Sequence, residues 1–220
     1  MVARMDHPGP VTPADVRTAV ALAVDTLTAA ADDDHDWQIP ASGLTWTCWE
    51  TVEHIADDLF SYAGQLATAT PPMTSYVSWG WKHRDGGPAL TVYADPDGGV
   101  TGLLQVLDSC GGLLAATAQV TPADRRAYHP MGMADAEGFA AMGLVETLVH
   151  VHDVAAALGL AWNPPADLCD RVLWRLFPDA PLDTERWPTL LWATGRGELP
   201  GHPLLSQWRW DANPRQAAAR

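Results

Sequence analysis

The chain has 220 residues, room for one domain with an ample core, or for one domain and a small appendage. Thirteen basic against 27 acidic side chains give a formal charge of −14, spread along the chain rather than gathered in a tail; nucleic acid and anionic membranes, which select basic patches, are therefore not expected partners. Three widely spaced cysteines, Cys48, Cys110 and Cys169, include no Cys-x-x-Cys pair, which argues against a disulfide scaffold and a cysteine-rich zinc site.

No basic, then apolar, then small-residue succession opens the chain, and no run of about eighteen apolar residues marks a membrane span, so a cytoplasmic location is expected. Residues 1–11 read as a loose leader. Thr12-Pro13-Ala14-Asp15 is a helix start, with Thr as N-cap, Pro at the first helical position and an acid in the first turn. Val16, Val20, Ala23, Val24, Leu27 and Ala31 continue at helical spacing into Asp32–Asp36, a solvated connector that lacks the glycine and terminal glutamate of a calcium loop. A second helix begins after Trp46, where Thr47 and Glu50 have capping-box spacing. Val52, Ile55, Ala56, Leu59, Ala63 and Leu66 form its apolar stripe, and His54, Asp57, Asp58, Ser61 and Gln65 fall on the other side.

Residues 69–98 break the helical pattern, and the alternation at Tyr76–Trp81, the turn-like Arg84–Gly87 and Leu90–Tyr93 predict a small hairpin over 76–93. So long a connection can carry the chain from one end of a bundle to the other, which makes the second and third helices parallel. The third helix covers Gly99–Gln119, with Gly111-Gly112 marking a possible bend. A second connection, Thr121–Met133, holds Arg125, Arg126 and His129. The fourth helix, Asp135–Leu158, stops at Gly159. Beyond it, Pro164-Pro165 starts a helix through Phe177, and Asp183 or Thr184 caps another over Glu185–Thr194. With four tryptophans in this part (Trp187, Trp192, Trp208 and Trp210), 161–212 reads as a helical cap packed on a bundle of residues 12–160, and 213–220 as a tail. The fold class is all-α.

The fourth helix is apolar on almost every side, yet Glu146, His150 and Asp153 follow one another at spacings of four and three, on one face. Buried carboxylate and imidazole need partners. Glu146 and His150 stand one turn apart as metal ligands do, and His54 on the second helix can complete a three-ligand set across the bundle. Two histidines and a carboxylate suit zinc with an open position, and iron(II) or nickel as well. Asp153 can orient a ligating imidazole, and Asp57 or Asp58 can do so near His54. A solvated or hydrogen-bonded stripe without metal is the alternative. His152 points to another side of the helix, and Cys48 belongs to the core.

Two stretches carry a family resemblance: Leu44–Asp58 (LTWTCWETVEHIADD) and Glu146–Asp153 (ETLVHVHD). In order and separation they resemble the tryptophan-led helix and the Glu-x-x-x-His-x-x-Asp helix of the DinB-like superfamily, in particular the metal-binding domain of mycothiol-dependent maleylpyruvate isomerase. The resemblance covers residues 12–160 and is more specific for the superfamily than for one activity. It implies an up-down-down-up four-helix bundle with a long crossover between helices two and three, and zinc held by His54, Glu146 and His150. Leu190–Arg196 also resembles a C-terminal piece of many relatives. The isomerase carries a further α/β domain, whereas 160–220 is short and helical, so maleylpyruvate itself is not the implied substrate.

The expectation is a metal-dependent enzyme, an S-transferase or isomerase, that uses a low-molecular-weight thiol such as mycothiol as a metal-stabilised thiolate on a small electrophile. Arg125, Arg126, His129 and Arg196 are candidates to anchor a substrate carboxylate. The alternative is a non-catalytic metal-binding bundle, a scaffold or a small-molecule sensor. Either form is expected as a monomer or homodimer.

Overall fold

Thr12 sets the first helix. Its side chain accepts from the Asp15 N–H while the Asp15 carboxylate accepts from the Thr12 N–H, and Pro13 supplies a helical φ in the first turn of α1 (Pro13–Thr28). Thr47 and Glu50 repeat the reciprocal cap at the start of α2 (Cys48–Ala67). α3 (Gly99–Val120) lacks a side-chain cap; α4 (Ala136–Leu158) opens on Asp135, whose carboxylate accepts from the Gly138 N–H, and closes on Gly159 at φ 70°. α5 (Ala166–Leu176) and α6 (Arg186–Ala193) follow. This computed structural model describes residues 8–32 and 34–215; residues 1–7 of the expected leader, Asp33 of the acidic connector and residues 216–220 of the expected tail lie outside.

The course of the chain between α2 and α3 decides the topology. After α2 ends, the chain returns along that helix: the Val77 N–H donates to Gln65, the Thr91 and Val92 N–H groups to Asp57, and the Ala94 N–H to Glu53. Each contact lies nearer the start of α2 than the one before. α3 therefore begins at the end where α2 begins and runs parallel to it. α4 crosses α2 in the opposite sense, since His54 neighbours His150 while Leu59 and Tyr62 neighbour Gly143. Just before α1, the Val11 N–H donates to Glu137 in the first turn of α4, so these two helices start together. The result is an all-α bundle with up-down-down-up order, and α5 packs on α4.

The hairpin is smaller than 76–93. β1 (Lys82–His83) pairs antiparallel with β2 (Ala89–Leu90), and Tyr76–Trp81 forms no strand. The Val77 N–H in that stretch goes to Gln65 of α2 instead of a ladder. A second two-stranded ribbon, β3 (Ala127–His129) against β4 (Gly132–Ala134), occupies the stretch read as a plain connection. Three residues per strand are too few for alternation to show. The described edges of the expected leader and tail are held against the bundle. Val11 is 4% exposed within the core, and the Asn213 side chain accepts from the Met133 N–H. Neither Asp183 nor Thr184 caps α6, whose N-cap is Glu185; the Thr184 hydroxyl is engaged with that of Thr189.

α4 is buried on nearly every side because α1, α2 and α3 surround it and α5 covers what they leave. α3 and α4 are each long and apolar enough on average to cross a bilayer by length and composition, although polar residues interrupt both and neither is an unbroken apolar run. Their buried Leu103, Leu107, Leu114, Leu144 and Leu148 instead form part of the bundle core. Gly111-Gly112 does not interrupt α3; a Cβ at Gly111 would lie 2.7 Å from Val20 Cγ2 of α1, so the residue serves close helix approach. Gly111→Val should destabilise the fold by about 1–3 kcal/mol, and adding Val20→Ala should recover part of that loss in a double-mutant cycle by urea denaturation. An unchanged midpoint for Gly111→Val would contradict the close contact.

Candidate metal centre

His54 lies two turns into α2, set there by the Thr47 cap, and Trp46 immediately before the cap places its indole 4.7 Å edge-on from the imidazole. Glu146, His150 and Asp153 climb one face of α4 and are 8%, 7% and 3% exposed. His150 Nε2 stands 3.1 Å from Glu146 Oε2, and His54 Nε2 stands 4.0 Å from the same oxygen. One ligand atom from each of His54, Glu146 and His150 lies within 4.8 Å of the others. Tetrahedral zinc ligands at about 2.0–2.1 Å from the ion are roughly 3.3 Å apart, so the set is close to ligating separation. This buried group can hold a metal ion.

Asp153 does two jobs at this point. Its Oδ2 lies 3.1 Å from His150 Nδ1 and accepts from it, which orients the ring with Nε2 toward Glu146. The carboxylate also takes Arg196 through Nε and Nη2, at 3.0 and 2.9 Å. Arg196 arrives from the turn that ends α6, where Gly195 at φ 71° brings the chain back. The Asp153 carbonyl accepts from the Ser42 N–H, which draws the α1–α2 connection to the same spot. Ser42, Trp46, the three candidate ligands, Asp153, Arg196 and Trp208 line one cleft of about 540 Å³.

Burial pushes the His54 imidazole down to about 4, helped by the charge of His150, so it is neutral and ready to ligate at neutral pH. Burial also works against a charged His150, but bonds to Asp153 and Glu146 outweigh it and raise this histidine. For Glu146, burial is overcome by the His150 contact and by the charges of His150, His54 and Arg196, which together lower it. Asp58 is driven far up by burial, with the charges of Glu146 and Asp57 adding to the shift.

Several candidate residues stand elsewhere or act differently from the sequence reading. Asp57 does not orient His54; it accepts the Thr91 and Val92 N–H groups at 2.7 Å. Asp58 does approach His54, but at Nε2 (3.4 Å), the nitrogen that also faces Glu146. Arg125 donates to the Thr68 and Ala69 carbonyls, and Arg126 to those of Ala123 and Arg125, so both brace loops and neither lines the cleft. His129 is 6% exposed among Tyr62, Tyr76 and Trp210, and its Nδ1 accepts from the Met131 N–H, a structural rather than substrate-facing place. Arg196 lines the cleft, with Nε and Nη2 on Asp153, Nη1 on the Thr194 carbonyl and Nη2 also 3.3 Å from His150 Nδ1. His152 borders the cleft too, with its ring edge-on to Trp187 at 5.6 Å, and is not among the three candidate ligands. The reading by spacing missed Trp46 as a wall and the Asp153–Arg196 pair; the tryptophan next to the Thr47 cap was the one local sign.

No known family profile, characterised protein or solved structure matches the chain.

Metal uptake at this site should weaken in acid, because the ion must displace the proton that His150 holds more firmly than an ordinary histidine. Chelator competition should show clearly lower affinity at pH 6 than at pH 8, and equal affinities would contradict His150 as a ligand. For His129, burial lowers the folded-state value to about 4, against an ordinary value of 6.5. The unfolded chain thus takes up that proton first; the stabilising contribution is complete above about pH 6.5 and is lost as pH falls toward 4. Denaturation across this window should show a shallower acid slope in His129→Gln than in the wild type.

Proposed function

We propose that the chain binds one divalent metal ion, zinc before nickel or iron(II), through His54, Glu146 and His150, and uses it to activate a small thiol toward an electrophilic carbon. The convergence of two imidazoles and a carboxylate from two helices, at one wall of a 540 Å³ cleft, carries this reading. The resemblance of Leu44–Asp58 and Glu146–Asp153 to the mycothiol-dependent maleylpyruvate isomerase domain of the DinB-like superfamily supports the thiol. The reading also sets the chain in a reducing cytoplasm, where its three buried free cysteines remain thiols.

When bound, the metal supplies acidification of a thiol near neutral pH. The chain's own groups hold and shape the site. Asp153, fixed by Arg196, accepts the His150 Nδ1–H and keeps Nε2 aimed inward. Trp46 closes the side of the His54 ring, and Ser42 with Trp208 forms more of the cleft wall. In the organic step the thiol gives up its proton and its sulfur pair forms a C–S bond; a transferase then expels a leaving group, while an isomerase breaks the same C–S bond again.

The same position of donors on two separate helices favours a second reading, a metal that clamps α2 to α4 without turnover. Metal analysis of untagged protein should give about one ion per chain in the wild type and a large loss in His54→Ala. Loaded protein should then accelerate conjugation of mycothiol to a chlorobimane dye, and chelation should abolish this rate. Metal without acceleration by any thiol–electrophile pair supports the clamp; no metal in the wild type, even after reconstitution, overturns both readings.

A further inference from the structure

One turn beyond His54, Asp58 directs its carboxylate to the candidate metal site. Its Oδ2 is 3.4 Å from His54 Nε2, nearer than the 4.0 Å that separates this nitrogen from Glu146 Oε2. Asp58 is nevertheless not part of the mutually close group of donors, so it stands beside the ligand set rather than in it. Among the described residues no arginine or lysine pairs with it, and its neighbour Asp57 is committed to the Thr91 and Val92 N–H groups.

Charge makes the same point. Glu146, Asp153 and Asp58 bring three carboxylates into a small, largely buried region, and Arg196 is the one guanidinium against them. Asp58 also borders a second cleft of about 380 Å³, with Ser61, Tyr62, Tyr76, Trp79 and Trp81, and none of the residues lining it is basic. An anion approaching from that side meets aromatic faces and carboxylates, and no counter-charge.

Given the metal reading above, on which this inference rests, we propose that Asp58 belongs to the metal centre as the acceptor beside its open position. There it hydrogen-bonds a neutral, proton-bearing ligand such as water or a thiol, and it disfavours an anion. It is thus a specificity-determining residue that acts on the exchangeable ligand and not by direct ligation.

The test uses full-length protein reconstituted with cobalt(II), wild type beside Asp58→Asn, with azide as the anionic probe followed by visible absorption. Both proteins should hold about one cobalt per chain, with chelator-competition affinities within about threefold, and azide should bind roughly tenfold more tightly to Asp58→Asn. Equal azide affinities overturn the proposal. A cobalt affinity lower by a hundredfold or more in Asp58→Asn, with an altered spectrum, also overturns it, because Asp58 would then be a direct ligand. Failure of the wild type to bind cobalt sinks the underlying metal reading and this inference with it, whereas bound cobalt with unchanged azide affinity sinks this inference alone. Asp58→Ser, read in the same way, keeps the outcome decisive should the asparagine disturb α2.

Discussion

The molecule depends on one costly placement: a carboxylate and an imidazole, Glu146 and His150, within a helix that is otherwise apolar and surrounded. Neither group can lie there unpartnered without a penalty of several kcal/mol. Their surroundings answer that penalty in layers. His54 is brought from α2, Asp153 accepts the far nitrogen of His150, and Arg196 returns from the end of α6 to hold Asp153. The C-terminal segment is therefore more than a cover for α4. It delivers a guanidinium to an acidic cluster, where Nε and Nη2 of Arg196 hold the buried Asp153 carboxylate.

The crossover between α2 and α3 follows from comparable chemistry. Glu53, Asp57 and Gln65 look in the sequence like the wet side of an amphipathic helix, yet they are 6%, 8% and 1% exposed. They are buried because they accept backbone N–H groups from a returning segment that has almost no ladder of its own. A polar stripe thereby substitutes for a sheet edge. The same contacts hold 76–81 and 89–92 over the α2 face that carries Asp58, and so they shape the aromatic cleft beside the centre. Fold and site share a cause: α2 spends its polar face on the crossover in the middle and on the candidate metal centre near its start.

Much of this was legible in the chain. Both capping boxes, the Gly159 stop, the all-α class and the Glu146–His150 pair follow from local rules, because caps and helical periodicity act over three to seven residues. The parallel course of α2 and α3 could be expected from the length of their connection. What escaped were assignments that depend on partners distant in sequence. Arg196 passed for a free anchor because nothing near it announces Asp153, 43 residues earlier. His129 was a candidate carboxylate anchor, whereas it sits as an acceptor among aromatic rings. Gly111 passed for a bend because its reason, Val20, lies on another helix.

The sequence by itself determined where the first, second and fourth helices begin and end and that Glu146, His150 and Asp153 share one face, since backbone geometry alone converts spacings of four and three into a stack. Only the tertiary structure decided that His54 meets that stack, that Asp57, adjacent to Asp58 in sequence, accepts from a loop while Asp58 approaches His54, and that Arg196 binds Asp153. The physical reason is burial. Desolvation leaves each polar group little choice but the partner that packing brings within reach, and packing is a property of the assembled bundle rather than of any one segment.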